Sequence, residues 1–258
     1  MKKISEQVTR REMLGLMGLA RAAAAAAACG KTNAPVPPYV GTSTPATPGV
    51  TSSATGTPAS SVSCVVSPEM VEGPYFVDEL LNRADIRSDP GTGAVSEGVP
   101  LRLAITVSQV NDAACTPLEG VVVDVWHCDA QGLYSDVAAS NTDGQKFLRG
   151  YQLADDNGRV EFTTVYPGWY MGRAVHIHAK VRTDPASEQG YEFTSQLFFD
   201  EATTQQVYAQ APYSARGEPD TPNASDGIYQ GGGSQMLLAL SPEGDGYAGT
   251  IHIGVQVA

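Results

Sequence analysis

Seven stretches of the chain carry the residue pattern of β-strands. Residues 101–107 alternate apolar and polar side chains with the strand period of two. Residues 121–126 form a Val-rich run bounded by Gly120 and Asp129, and residues 160–165, 174–181, 193–199, 236–240 and 249–257 are further short runs of this kind. Asp89-Pro90-Gly91, Asp155-Asp156-Asn157-Gly158 and Tyr166-Pro167-Gly168 punctuate them as turns. Only residues 77–83 and 201–209 read as helices, and residues 208–234, rich in Gly, Pro, Asn and Asp, read as a long surface loop. The pattern predicts an all-β fold, an antiparallel β-sandwich with long loops and few short helices.

None of this periodicity reaches into the first quarter of the chain. Residues 1–63 hold six basic and two acidic residues, a net of +4, while residues 64–258 hold ten basic and 26 acidic ones, a net of −16. A polar, basic start leads into an apolar stretch of about 15 residues ending in seven alanines, too short for a membrane span, which needs about 20. Residues 1–29 therefore read as an export signal. Thr9-Arg10-Arg11-Glu12-Met13-Leu14 resembles a twin-arginine signal, and Ala26-Ala27-Ala28-Cys29-Gly30 looks like a lipoprotein cleavage box with Cys29 as the lipidated residue, although the usual Leu before it is missing. Residues 30–63 are a Thr/Pro/Ser-rich tether: from Lys31 to Ser63 there is one charge, six Pro, seven Thr and six Ser, and no Leu, Ile or Phe. Such a segment buries too little apolar area to offset its ordering entropy and is expected to be disordered. The folded part, residues 64–258, is thus expected outside the cytoplasmic membrane, touching a membrane only through a lipid at Cys29.

Charge excludes some partners. An acidic chain with a pI near 4.6 offers no basic surface for nucleic acid. Outside the cell, two of Cys64, Cys115 and Cys128 can pair and one is left over, and the spacing does not choose among the three pairings.

Candidate chemistry concentrates in the middle of the folded part. His176-Ile177-His178 lies in a predicted strand, where side chains at i and i+2 share one face about 7 Å apart, so two imidazoles can converge on one ion. Two exposed histidines on a polar strand face would give the same pattern. A tight aromatic turn, Tyr166-Pro167-Gly168-Trp169-Tyr170-Met171-Gly172-Arg173, feeds directly into this strand. Upstream, residues 124–135 read as a strand, a Gly turn and Tyr134-Ser135. His127 and His252 are expected to pack or hydrogen-bond, and Trp126 to pack.

Together with Glu72-Gly73-Pro74-Tyr75 and Thr194-Ser195-Gln196-Leu197-Phe198-Phe199, these blocks resemble the intradiol ring-cleaving dioxygenases, the family of catechol and protocatechuate 3,4-dioxygenases, over residues 64–258. The resemblance is to secreted single-domain forms. It implies a non-haem Fe(III) held by Tyr134, Tyr170, His176 and His178, a donor set that suits a hard ferric ion. It implies that Tyr170 and His176 are axial, that Tyr134 and His178 are equatorial, and that Tyr170 leaves the metal and takes up a proton when substrate binds. Arg173 matches the family arginine that stabilises developing negative charge, and Gln196 a family glutamine beside the metal. Tyr75 and Trp169 are expected to face the substrate. The implied reaction opens a catechol between its two hydroxylated carbons with both atoms of O2, giving a muconate-type diacid.

Only five residues separate Tyr170 from His176, where protocatechuate-type enzymes carry a longer loop, so a more open site that admits bulkier catechols is expected. The acidic surface favours uncharged catechols over acidic ones. Other classes fit less well. A copper–zinc superoxide dismutase needs about six histidines and the chain has four, and no Glu follows His178 at the spacing of a cupin site. The remaining alternative is a non-catalytic secreted β-sandwich that binds surfaces and retains a metal site. Residues Tyr134, Tyr170, Arg173, His176 and His178 are all intact, which argues for catalysis. A homo-oligomer stays open.

Overall fold

The computed structural model describes residues 65–111, 114–183 and 190–257. The export signal, the tether, Cys29 and Cys64 lie outside the described residues.

Two sheets stack face to face. In the first, β1 (Pro100–Asn111) is the central strand. Its two halves pair antiparallel with β5 (Arg159–Val165) and β2 (Ala114–Pro117), and β9 (Gly246–Val255) takes its other edge, itself flanked by β8 (Ala239–Glu243). The β1–β9 pair is parallel, an exception to the expected antiparallel order. The second sheet runs β4-β3-β6-β7, all antiparallel, from β4 (Arg149–Leu153), β3 (Val122–Trp126), β6 (His176–Arg182) and β7 (Glu192–Phe198). Leu103, Ile105 and Phe162 of one sheet meet Val123, Ile177 and Leu197 of the other in a dry core. Each such side chain contributes roughly 1.5–3 kcal/mol by leaving water.

The strand alternation decides where polar residues of the second sheet go. In β6, Ile177, Ala179 and Val181 fill the core, so His176, His178, Lys180 and Arg182 point to the other face. All four are nonetheless buried, because irregular chain covers that face. Arg182 is satisfied by a bidentate pair with Asp124 at 2.8 Å and by Asp78, and Lys180 by Glu72 and Glu192.

Residues 77–83 do not form the predicted helix. Leu80 turns the chain at a φ of +52°, and residues 81–83 then run beside β4, with Tyr151 N donating to Leu81 O and Arg83 N to Tyr151 O. Val77, Leu80 and Leu81 have helical spacing, but Leu80 stays exposed and β4 bonds the backbone of 81 and 83 instead. β2 and β4 are not marked by apolar alternation and are found only here. At the far end, the run expected as a strand at 236–240 begins later: Gly233–Met236 makes a 3₁₀ turn, and the strand is β8. The helix expected at 201–209 is α1 (Glu201–Tyr208), capped by the Asp200 side chain at Thr203 N. The connection from α1 to β8 holds one further short helix, α2 (Gly227–Gln230), and single 3₁₀ turns. Cys115 is disulfide-bonded, whereas Cys128 is a buried free thiol that donates to Gly168 O, so Cys128 is not in the pair. Among the described residues no helix is long and apolar enough to cross a membrane.

Candidate metal centre

The covered face of the second sheet brings together residues that lie far apart in sequence. His176 and His178 stand two residues apart at the start of β6, and their Nε2 atoms are 3.1 Å apart. His176 Nδ1 lies 2.6 Å from Ala174 O. A carbonyl can only accept, so Nδ1 carries the proton and Nε2 presents a lone pair. Tyr170 Oη lies 3.2 Å from that same Nε2. Tyr134 closes the group, its ring 5.7 Å from that of Tyr170 and 6.2 Å from that of His178.

Glycines permit this approach. Tyr134 leaves the β3 strand through a turn at Gly132, whose φ is +79° and whose Cβ would fall 2.1 Å from Trp169 O. A Cβ on Gly168 would fall 2.3 Å from Asp129 O. The two chain segments that carry Tyr134 and Tyr170 therefore touch backbone to backbone, and side chains there would push them apart.

The surroundings fix the donors. Trp126, the register partner of His178 across the sheet, stacks on its ring at 4.7 Å and 8°. Tyr75 stacks on Tyr134 at 4.5 Å and is the ring that packs above it. Arg149, buried in β4, donates to Tyr75 O at 2.6 Å and to Ser135 Oγ at 2.8 Å, tying both segments to the sheet. Gln196 is the register partner of His178 on the other side, and its Nε2 donates to Val71 O at 2.9 Å.

Arg173 is held from several directions. Its Nε donates to Asp226 at 2.8 Å, a second nitrogen donates to Gln196 Oε1, and NH1 lies 3.5 Å from Tyr170 Oη. One arrangement thus pairs Arg173 with a buried acid and brings it to Tyr170. Trp169 faces elsewhere: its indole N–H donates to Gly217 O at 3.0 Å and Arg216 lies over its ring. His127 is wholly buried, bonded to Cys128 O and Thr164 Oγ1, and His252 reaches Ser108 Oγ at 3.0 Å, so both hydrogen-bond away from the cluster.

Burial keeps every donor neutral. It pushes the Tyr170 phenol up to about 12 against the opposing pull of Arg173, and Tyr134 well above its ordinary value. It pushes His176 down to about 3, helped by the Arg173 charge, and His178 well below its ordinary range. Two buried polar atoms here, Tyr134 Oη and His178 Nδ1, have no hydrogen-bond partner of good geometry among the described residues. An orphaned buried hydroxyl is costly, and two imidazole nitrogens at 3.1 Å have the spacing of neighbouring ligands on one ion at about 2 Å. Two imidazoles and two phenols fit a hard, highly charged cation, which would supply the positive charge that burial withholds from phenolates. Among the described residues no group of three or more His, Cys, Asp or Glu side chains forms another such centre. A groove of about 590 Å³ on the five-stranded sheet, lined by Thr106, Leu237, Ile251 and His252, contains none of these donors.

Asp226 and Arg149 are the contributors that sequence reasoning missed, whereas Trp126 packs as expected. Asp226 precedes Gly-Ile-Tyr, a capping pattern visible in sequence, but nothing local reveals that it reaches Arg173.

The family model described as Dioxygenase matches residues 71–211. The chain belongs to this family, the intradiol ring-cleavage dioxygenases. Chlorocatechol 1,2-dioxygenase of Rhodococcus opacus is 26% identical over 150 residues, covering 50% of this chain and 55% of that one. The chain thus spans about half the length of that relative. Among solved structures, an intradiol ring-cleavage dioxygenase from Tetranychus urticae superposes with a TM-score of 0.66 at 29% identity, covering 75% of this chain and 95% of that one. The dioxygenase domain of a dioxygenase–carbohydrate-binding protein fusion from Streptomyces sp. SirexAA-E gives a TM-score of 0.55 at 28% identity, over 75% of this chain and 100% of that one.

Proposed function

We propose that the chain is an Fe(III)-dependent intradiol dioxygenase that opens a catecholic ring between its two hydroxylated carbons, consuming O2 and yielding a muconate-type diacid. The observation that carries this reading is the convergence of Tyr170 Oη and the Nε2 atoms of His176 and His178 beside the orphaned Tyr134 hydroxyl, in a chain of this family. Tyr134, Tyr170, His176 and His178 would hold the iron. Bound there, it supplies the chemistry of a hard Lewis acid toward a chelating diol.

The chain's own groups do the rest. Tyr170 is the less buried of the two tyrosines and the one that Arg173 faces. Held as a phenolate by the iron, its oxygen would be the site that takes up the proton released by the incoming diol. Arg173, held in plane by Asp226 and Gln196, stabilises negative charge that develops on the substrate. Trp126 and Phe76 pack behind His178 and keep water off the ligand's back. Tyr75, stacked on Tyr134, presents an aromatic surface to the ring being cleaved. Export by residues 1–29 and lipidation of Cys29 complete the proposal, supported by the sequence there and by the disulfide at Cys115, since structural disulfides favour oxidising compartments.

The test is anaerobic addition of catechol to the iron-loaded protein, followed by isotopically labelled O2 and mass analysis. The expected result is a red-brown protein and a diacid carrying two labelled oxygen atoms. A protein that stays colourless after iron loading, or a product cleaved beside the hydroxyls, refutes the proposal.

A further inference from the structure

We propose that Asp226 is a positioning residue that sets the orientation of Arg173 at the metal centre. This role rests on the dioxygenase reading above. Asp226 lies 53 residues beyond Arg173, in the connection between α1 and β8, and its side chain is fully buried. One carboxylate oxygen accepts from Arg173 Nε at 2.8 Å and from Ala174 N at 2.7 Å. The other accepts from Ile228 N at 2.7 Å and Tyr229 N at 3.2 Å. The carboxylate is therefore anchored on its own side by the start of α2, and it offers Arg173 a fixed acceptor rather than a mobile one.

The guanidinium is a planar fork, and each bond removes a rotational freedom. Asp226 takes Nε, and Gln196 takes a terminal nitrogen. Gln196 is itself held by Val71 O, so the plane of the fork is set from both ends. The remaining nitrogen, NH1, is left 3.5 Å from Tyr170 Oη. The bond to Ala174 N adds a second function, because Ala174 O holds His176 Nδ1. One carboxylate thus touches the backbone of the residue that orients a histidine and the side chain of the arginine that faces a tyrosine. The same connection grips this arm elsewhere, through Gly217 O at Trp169 Nε1 and Asp220 at Gly172 N. Those contacts are exposed, whereas Asp226 is the buried carboxylate and the one paired with Arg173.

The test uses the full chain loaded with Fe(III) in four forms: wild type, Asp226→Asn, Arg173→Ala and the double variant. Asn keeps the shape and an acceptor oxygen for capping α2 but loses the charge. Asp226→Asn is expected to stay coloured, with kcat on catechol lowered roughly ten- to hundredfold and KM changed by less than about threefold. It is also expected to shift the tyrosinate absorption band. In the Arg173→Ala background it is expected to lower kcat and shift the band much less than in the wild type, the remainder coming only from the bond to Ala174 N. A folded, coloured Asp226→Asn protein with undiminished kcat overturns the role, and so does an equal further loss in the Arg173→Ala background. If Asp226→Asn fails to fold or load iron, Arg173→Lys replaces it, since an ammonium keeps the charge but cannot bridge Asp226 and Gln196. Full activity in that variant overturns the role. Wild-type protein that neither colours nor turns over catechol refutes the dioxygenase reading itself, and this role with it.

Discussion

Tyr134 shows how a proposed ligand differs from a packing residue. Its ring is stacked and buried like a core aromatic, but its hydroxyl has no partner of good geometry among the described residues. An unpaired buried hydroxyl costs about 1–3 kcal/mol, so removing it should not weaken the metal-free fold. Tyr134→Phe is expected to leave the urea midpoint of the metal-free protein unchanged or slightly raised, while iron bound per chain and catechol turnover both collapse. A metal-free variant that is clearly destabilised would mean that the hydroxyl has a structural partner instead. The pairing of His176 and His178 on one face was legible from their i, i+2 spacing, whereas Tyr134, Tyr170 and Arg173 were singled out by resemblance to the family. Asp226 was not legible as the partner of Arg173, because the contact spans 53 residues and any of many acids could have made it.

At the scale of elements, the centre depends on how closely two loops approach. The Gly168 position faces the backbone of Asp129 and Ala130 at distances that a Cβ would occupy. Gly168→Ala is expected to destabilise the fold by about 1–3 kcal/mol, as overpacking does, and to weaken iron binding by separating Tyr134 from Tyr170. Chemical denaturation and iron titration check this together, and an unchanged midpoint would show that the loops can part freely. Strands with strong apolar alternation were readable from the chain, as β1, β5 and β6 show. β4 was not, because Arg149 and Tyr151 lie on the covered face, where polar side chains are buried by loops. Residues 77–83 looked helical for the complementary reason: local propensity says nothing of the neighbouring strand that captures their backbone.

The whole molecule carries two further consequences. His127 is buried and neutral, its imidazole pushed down to about 4 first by burial and then by the Arg149 charge, against the raising effect of its bond to Cys128 O. Unfolded, it binds a proton near its ordinary value of about 6.5. The unfolded state thus gains protons first as pH falls, and the stability this histidine contributes is present above about 6.5 and is lost on the way down to 4. The loss at pH 5 is about 2 kcal/mol. His127→Gln should flatten the fall in denaturation midpoint between pH 7 and pH 5, and an equally steep fall would assign it to other groups. The net charge of −16 on residues 64–258 acts over longer range. It is expected to favour catechol over the carboxylate-bearing protocatechuate by roughly tenfold in kcat/KM, with the gap narrowing as salt is raised, and a gap that ignores salt would place the selectivity in the pocket. By itself the sequence determined the β-sandwich class and the family, because periodicity and the motif blocks are short-range features. Only the tertiary structure decided that Ile177, Ala179 and Val181 of β6 fill the core while His176 and His178 face a second, loop-covered layer. It also decided that Tyr134 and Tyr170 meet there, and that a distant carboxylate holds Arg173. Those are choices between many chemically equivalent partners, and only packing of the whole chain can make them.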